Sequence, residues 1–130
     1  MQKRTIRSTK GPEAIIQAAI IRFLEDRKWF VKNTHGNIYQ SGLPDLYACR
    51  RKYYYGVPAE GIHYADAPLV RWIEVKNPGK YKFTAAQLRD FPRFMAEGVG
   101  VWVMVGATEA EYAKLFQPPN WYQYLSVAKA

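Results

Sequence analysis

LVRWIEVK, residues 69–76, alternates so that Leu69, Ile73 and Val75 can enter a core while Trp72, Glu74 and Lys76 share the other face of a strand. The two-residue period points the Glu74 carboxylate and the Lys76 ammonium to one side and leaves Val75 to anchor the opposite one. Glu74-Val75-Lys76 is thus a rigid acid and base pair. Alone, an E-x-K on a strand edge is commonly a surface ion pair, so its company must decide. Upstream, Gly42-Leu43-Pro44-Asp45 puts a carboxylate at the entry to a second strand, Asp45 to Arg50, after a turn that Gly and Pro set sharply. If the two strands pair, the carboxylates converge. One or two carboxylates, with water and a substrate phosphate, are what Mg²⁺ takes, and phosphate-ester cleavage then becomes accessible chemistry.

Working outward, Pro12 opens a helix to about Lys28, with Ile16, Ala19, Ile20, Phe23 and Leu24 at helical spacing. Trp29 to Lys32 reads as a short strand, followed by the NTHGN turn. Residues 51–68 carry Gly56, Pro58, Gly61, Pro68 and four tyrosines, as an inserted loop would. Thr84 to about Glu97 is a helix that Pro92 should kink or shorten. Val99 to Val105, apolar on both faces, reads as a buried central strand. Thr108 to Phe116 is a short helix opened by a Thr-x-x-Glu capping box, and Asn120 to Val127 can form another. The order is helix, three strands, helix, strand, helix, an α/β arrangement.

A chain of 130 residues, 48% hydrophobic and 23% charged, is one domain's worth. Residues 1–11 read as a basic flexible arm and 12–130 as the domain. No stretch approaches the roughly 20 apolar residues of a membrane span, and no apolar core follows the basic N-terminal residues. A soluble, intracellular protein is expected. With one cysteine, Cys49, and two histidines, the usual ligands of a structural zinc site are lacking, so any metal must be held by oxygen. Nineteen Lys and Arg against eleven Asp and Glu give a net charge of +8, suited to a polyanion.

Further candidates join the carboxylates. Glu13, one turn into the first helix, is expected to face inward beside Ile16 and Gln17. Gln87 and Phe91 would overlook the Glu74 face if their helix packs there, although Thr84-x-x-Gln87 is also a capping box. His35, in a polar turn, is left out of the catalytic set. Arg50, Arg51 and Lys52, followed by Tyr53, Tyr54 and Tyr55, combine cations with stacking surfaces. Lys80 and Lys82, with Lys3, Arg4 and Arg7 of the arm, complete the cations expected on DNA phosphates. Trp121, Tyr122, Tyr124 and Leu125 crowd the C-terminal segment, either covering the core or offering an apolar contact to a second copy.

Taken together, Glu13, GLPD at 42–45, EVK at 74–76 and QLRDF at 87–91 resemble the PD-(D/E)XK nuclease superfamily, and within it the virus-type replication-repair nuclease (VRR-NUC) domain. The resemblance spans about residues 12–107. It implies a restriction-endonuclease-like core, with a mixed central sheet flanked by helices, and Mg²⁺- or Mn²⁺-dependent cleavage of structured DNA. Asp45, Glu74 and the Val75 backbone carbonyl would bind metal, Glu13 would support it, Lys76 would position or activate water, and Gln87 would orient the site. Stand-alone viral and bacterial members behave like Holliday junction resolvases, which implies a homodimer on branched DNA, in a bacterial cytoplasm or a phage's host. The Tyr-rich insert and Pro92 depart from the family pattern. The competing reading is a catalytically silent basic DNA-binding module on the same fold.

Overall fold

A computed structural model describes residues 11–34, 42–50 and 69–124. The arm with Lys3, Arg4 and Arg7, His35, Arg51 and Lys52 with the insert's tyrosines, and Leu125 lie outside the described residues. The elements are α1 (Pro12–Glu25), β1 (Phe30–Asn33), β2 (Leu46–Arg50), β3 (Leu69–Val75), α2 (Ala85–Ala96), β4 (Val101–Met104), α3 (Glu109–Lys114) and a 3-10 turn at Trp121–Tyr124. Their order is the expected one. The described sheet runs β1-β2-β3-β4, antiparallel in its first two pairs and parallel between β3 and β4. A parallel pair needs a crossover, and α2 lies in it. The fold is α/β with a mixed sheet flanked by helices.

Alternation along the strands builds two cores. Ile73 and Val75 join Leu46, Ala48, Trp102 and Met104 beneath Ile20 and Leu24 of α1 and Leu115 after α3. On the opposite face Val101 and Val103 pack with Phe83, Phe91 and Trp121. Glu74 and Lys76, one residue out of phase with Ile73 and Val75, therefore point toward the α2 side, as the two-residue period requires. Both are buried.

Several expected boundaries move for local reasons. α1 stops at Glu25, not about Lys28, because Lys28 takes a φ of +71° and the Trp29 N–H returns to the Leu24 carbonyl at 3.1 Å. That left-handed residue turns the chain into β1. Pro92 does not shorten α2, which continues to Ala96. It sits on the exposed side, where water can take the Leu88 carbonyl that loses its donor. α3 uses only half of its capping box: Thr108 accepts from the Glu111 N–H, but the Glu111 side chain turns to the Val105 N–H and to Lys114.

β4 is buried on both faces yet ends the described sheet, so its apolar character reflects helices above and below it and not a central position. Its outer edge is closed by a side chain. Asn120 accepts from the Val103 N–H at 2.7 Å and donates to the Val103 carbonyl at 3.1 Å, standing in for a neighbouring strand. The aromatic C-terminal segment likewise turns inward, with Trp121 buried and Tyr124 packed on the second core, while Tyr122 is exposed. Core coverage accounts for Trp121 and Tyr124.

Candidate active site

Asp45 stands at the end of a turn held from two sides. The Thr34 N–H and hydroxyl donate to the Asp45 carbonyl at 2.9 and 3.0 Å, and the same hydroxyl bonds the Pro44 carbonyl. Gly42 takes a φ of +95°, and a Cβ there would strike the Asp90 carboxylate and press on Ala86 of α2. Only glycine fits both demands. Beyond the turn, Leu46 pairs with Ile73, which sets Asp45 beside Glu74. Asp45 Oδ2 accepts from the Val75 N–H at 2.8 Å, so the turn is tied to the strand that carries Glu74.

Glu74, Lys76 and Gln87 form one buried network, exposed by only 2%, 5% and 8%. Gln87 Nε2 donates to Glu74 Oε2 at 2.7 Å, and Lys76 Nζ donates to Gln87 Oε1 at 2.9 Å and lies 3.1 Å from Glu74 Oε2. The Thr84 N–H also donates to Gln87 Oε1, at 3.0 Å, while Thr84 Oγ1 accepts from the Gln87 N–H at 3.1 Å. The capping box and the contacts to Glu74 and Lys76 are therefore made by one side chain at the same time. This amide can point only one way, since its nitrogen faces a carboxylate and its oxygen two donors. The Lys76 ammonium also lies 4.7 Å from the Phe83 ring centroid, a cation–π contact that helps hold it in a buried place.

Glu74 Oε1 is buried with no hydrogen-bond partner. Burial, and secondarily the negative charge of Asp45, push the Glu74 carboxyl up to about 8 against the opposing pull of Lys76 and Gln87. A carboxyl group whose ionised form is disfavoured in this way, standing beside a second one, is a donor set that a hard cation would suit, and perturbed groups of this kind cluster at functional sites.

The remaining candidates are placed differently. Glu13 is exposed, contrary to the expected inward face, because the first turn of α1 overhangs the end of β3. Its Oε2 accepts from the Asn77 N–H at 3.0 Å, one residue past Lys76. Among the described residues no group of three or more His, Cys, Asp and Glu gathers to hold an ion, so Glu13 does not join Asp45 and Glu74 in one cage. Arg50 ends β2 five residues beyond Asp45, roughly 17 Å along the strand, and on the face of Leu46 and Ala48. It is remote from the carboxylates. Lys80 and Lys82 are exposed and line an open concavity with Gly79 and Tyr81. The turn before them, Asn77-Pro78-Gly79-Lys80, has Gly79 at φ +78° and the Lys80 N–H on the Asn77 carbonyl, the pattern of a type II turn. The sequence reading missed Thr34, whose hydroxyl reaches carbonyls 10 and 11 residues away, and Asp90, which pairs with Arg89 and lies against Gly42, 48 residues away. Gly42 was the one legible signal, since a glycine before Leu-Pro-Asp asks what comes close to it.

One solved structure, described as a VRR_NUC domain, is similar to this chain with a TM-score of 0.56 and 23% identity, over 81% of this chain and 94% of that one. The chain has that fold. No family model and no curated protein matches it. At this identity the likeness is one of architecture, and the chemistry has to be argued from the side chains. No helix among the described residues is long and apolar enough to cross a membrane.

Proposed function

We propose that the chain is a divalent-metal-dependent endodeoxyribonuclease that hydrolyses phosphodiester bonds at Asp45, Glu74 and Lys76, with branched DNA as its preferred substrate. The observation that carries this reading is the partnerless, buried Glu74 Oε1 next to Asp45. Burying an unsatisfied carboxylate oxygen is costly, and a silent DNA-binding module has no use for one. Asp45, Glu74 and the Val75 carbonyl would hold Mg²⁺ or Mn²⁺, while Glu13 stays outside that cage and holds the Asn77 N–H just past Lys76. A bound divalent ion supplies Lewis-acid stabilisation of the charge that builds on the phosphoryl oxygens.

The chain's own residues do the rest. Gln87 fixes the Glu74 carboxylate and the Lys76 ammonium relative to each other. Two of the three Lys76 donors are directed to Gln87 and Glu74, which leaves one for the attacking water or a non-bridging phosphate oxygen. Asp45, held on the Val75 N–H, keeps a second negative charge at the same point. The excess of cations attracts the backbone without reading bases, and Lys80 and Lys82 on the loop after β3 offer phosphate contacts nearest the site in sequence.

Preference for branched DNA, and action as a homodimer with two symmetric incisions, extend the proposal along the motif resemblance. The experiment is cleavage of labelled four-way junction, flap, duplex and single-stranded DNA in Mg²⁺, Mn²⁺ or EDTA, with sedimentation of the protein alone and with junction. Metal-dependent cuts in junction or flap support the proposal. Binding to every DNA with no cut in any metal would leave the silent module.

A further inference from the structure

The sheet face that carries Asp45 and Glu74 continues away from α2 with side chains that neither core uses. Cross-strand pairs share a face, so the register places Tyr47 with Trp72 and Lys32 with Tyr47 on the carboxylate side, and Phe30 with Cys49 one row further. Tyr47 and Trp72 meet at a ring-centroid distance of 4.6 Å, inclined by 55°. Both rings are half-buried, and neither belongs to nor packs on either core cluster among the described residues. Lys32 is exposed, and Phe30 is 61% exposed although it sits in a strand.

Large aromatic rings in the middle of a sheet normally bury themselves. Here two sit in the row next to the carboxylates, followed by a cation and then a third ring. Two residues along a strand is about 7 Å, which sets the Tyr47–Trp72 row within reach of the base attached to a phosphate lying at Asp45 and Glu74. Successive aromatic faces beside a cation are how proteins hold single-stranded nucleic acid, with the base stacked and the phosphate on the charge. A base can stack there only when it is outside a duplex.

We infer that Tyr47 and Trp72 form a stacking platform for one unpaired nucleobase of a DNA substrate beside the scissile phosphate, with Lys32 on the neighbouring phosphate. The inference rests on the nuclease reading and gives it a basis for selectivity: a site with this platform favours DNA with an unpaired nucleotide at the cut. As a purely structural feature, the ring pair would stabilise the sheet and be indifferent to the base.

The test removes the base and not the protein. Affinity is measured in EDTA for a flap whose first unpaired nucleotide is either intact or abasic, using wild type, Tyr47→Leu, Trp72→Leu and the ring-preserving Tyr47→Phe. Wild type and Tyr47→Phe should bind the abasic flap about tenfold more weakly, and the two Leu variants should bind both flaps within twofold. With 2-aminopurine at that position, fluorescence should fall on binding to wild type. Should either Leu variant not fold, the wild-type comparison and Tyr47→Phe still decide. A wild type that binds and, with Mg²⁺, cuts the flap but ignores base removal would overturn the platform alone. Equal tenfold losses in the Leu variants would do the same. A wild type that binds no DNA would overturn the nuclease reading with it.

Discussion

Replacing Gln87 with Ala removes three hydrogen bonds at once: to Glu74 at 2.7 Å, from Lys76 at 2.9 Å and from the Thr84 N–H at 3.0 Å. Two of these reach buried charged groups, where a bond is worth roughly 1.5–3 kcal/mol, and the helix cap adds about 1 kcal/mol. Simple addition gives roughly 4–7 kcal/mol, but the bonds share one amide and Glu74 can shed its charge by keeping a proton. About 3 kcal/mol is the expected loss, which at a urea slope of about 1.5 kcal/mol/M lowers the unfolding midpoint by about 2 M. Cleavage should fall roughly 100-fold, about 2.7 kcal/mol of transition-state stabilisation, because the acid and the ammonium lose their common brace. The control is Thr84→Ala, which removes the cap's other half, costs about 1 kcal/mol and leaves the bonds to Glu74 and Lys76 in place. Its cleavage rate should stay within about threefold of wild type. If the two variants lose the same stability and the same activity, Gln87 is a helix cap and nothing more.

Gly42→Ala forces a Cβ into the left-handed region and onto Asp90, and should destabilise by about 2 kcal/mol, of which adding Asp90→Ala recovers roughly half; full additivity in denaturant unfolding would contradict the contact. In EDTA the raised Glu74 carboxyl makes folding favour the protonated form, so stability should be greatest near pH 4.5 and fall as pH rises to about 8. Glu74→Gln should flatten that decline in chemical denaturation, and an unchanged slope would mean Glu74 is not its source. Added Mg²⁺ should raise the wild-type melting temperature near pH 8 and leave that of Glu74→Gln unmoved, as calorimetry would register. Lys80→Ala with Lys82→Ala should reduce the slope of log K against log salt by roughly 1.5–2, and no change would place both ammonium groups off the DNA backbone.

What was legible in the sequence is what short-range periodicity controls. The strand period put Glu74 and Lys76 on one side of β3, and Thr84-x-x-Gln87 gave the start of α2, because both depend on residues within a few positions. Gln87 was expected to overlook the Glu74 face as well as to cap α2, but which atoms its amide bonds was not legible, since it meets Glu74 and Lys76 only after α2 folds over the parallel pair. Glu13 was expected to face inward from helical spacing, but spacing cannot say that the first turn projects past the end of the sheet to reach Asn77. Apolar residues on both faces of β4 suggested a central strand. They report two covering layers equally well, and β4, at the edge of the described sheet, is met there by Asn120, 17 residues from Val103. Arg50 belonged by sequence to a basic and aromatic run, yet the strand that delivers Asp45 carries Arg50 to its far end.

The most direct measurement is the single-turnover cleavage rate of a labelled flap by wild type and by Lys76→Met, in Mg²⁺ and in EDTA. Methionine fills the buried stem of Lys76 and removes the ammonium that lies 3.1 Å from Glu74, so fold and DNA affinity are checked in parallel. Wild type should cut in Mg²⁺ and not in EDTA, and Lys76→Met should bind with similar affinity and cut at least about 1,000-fold more slowly. Equal cutting by Lys76→Met, or cutting by wild type in EDTA, would contradict catalysis at this site.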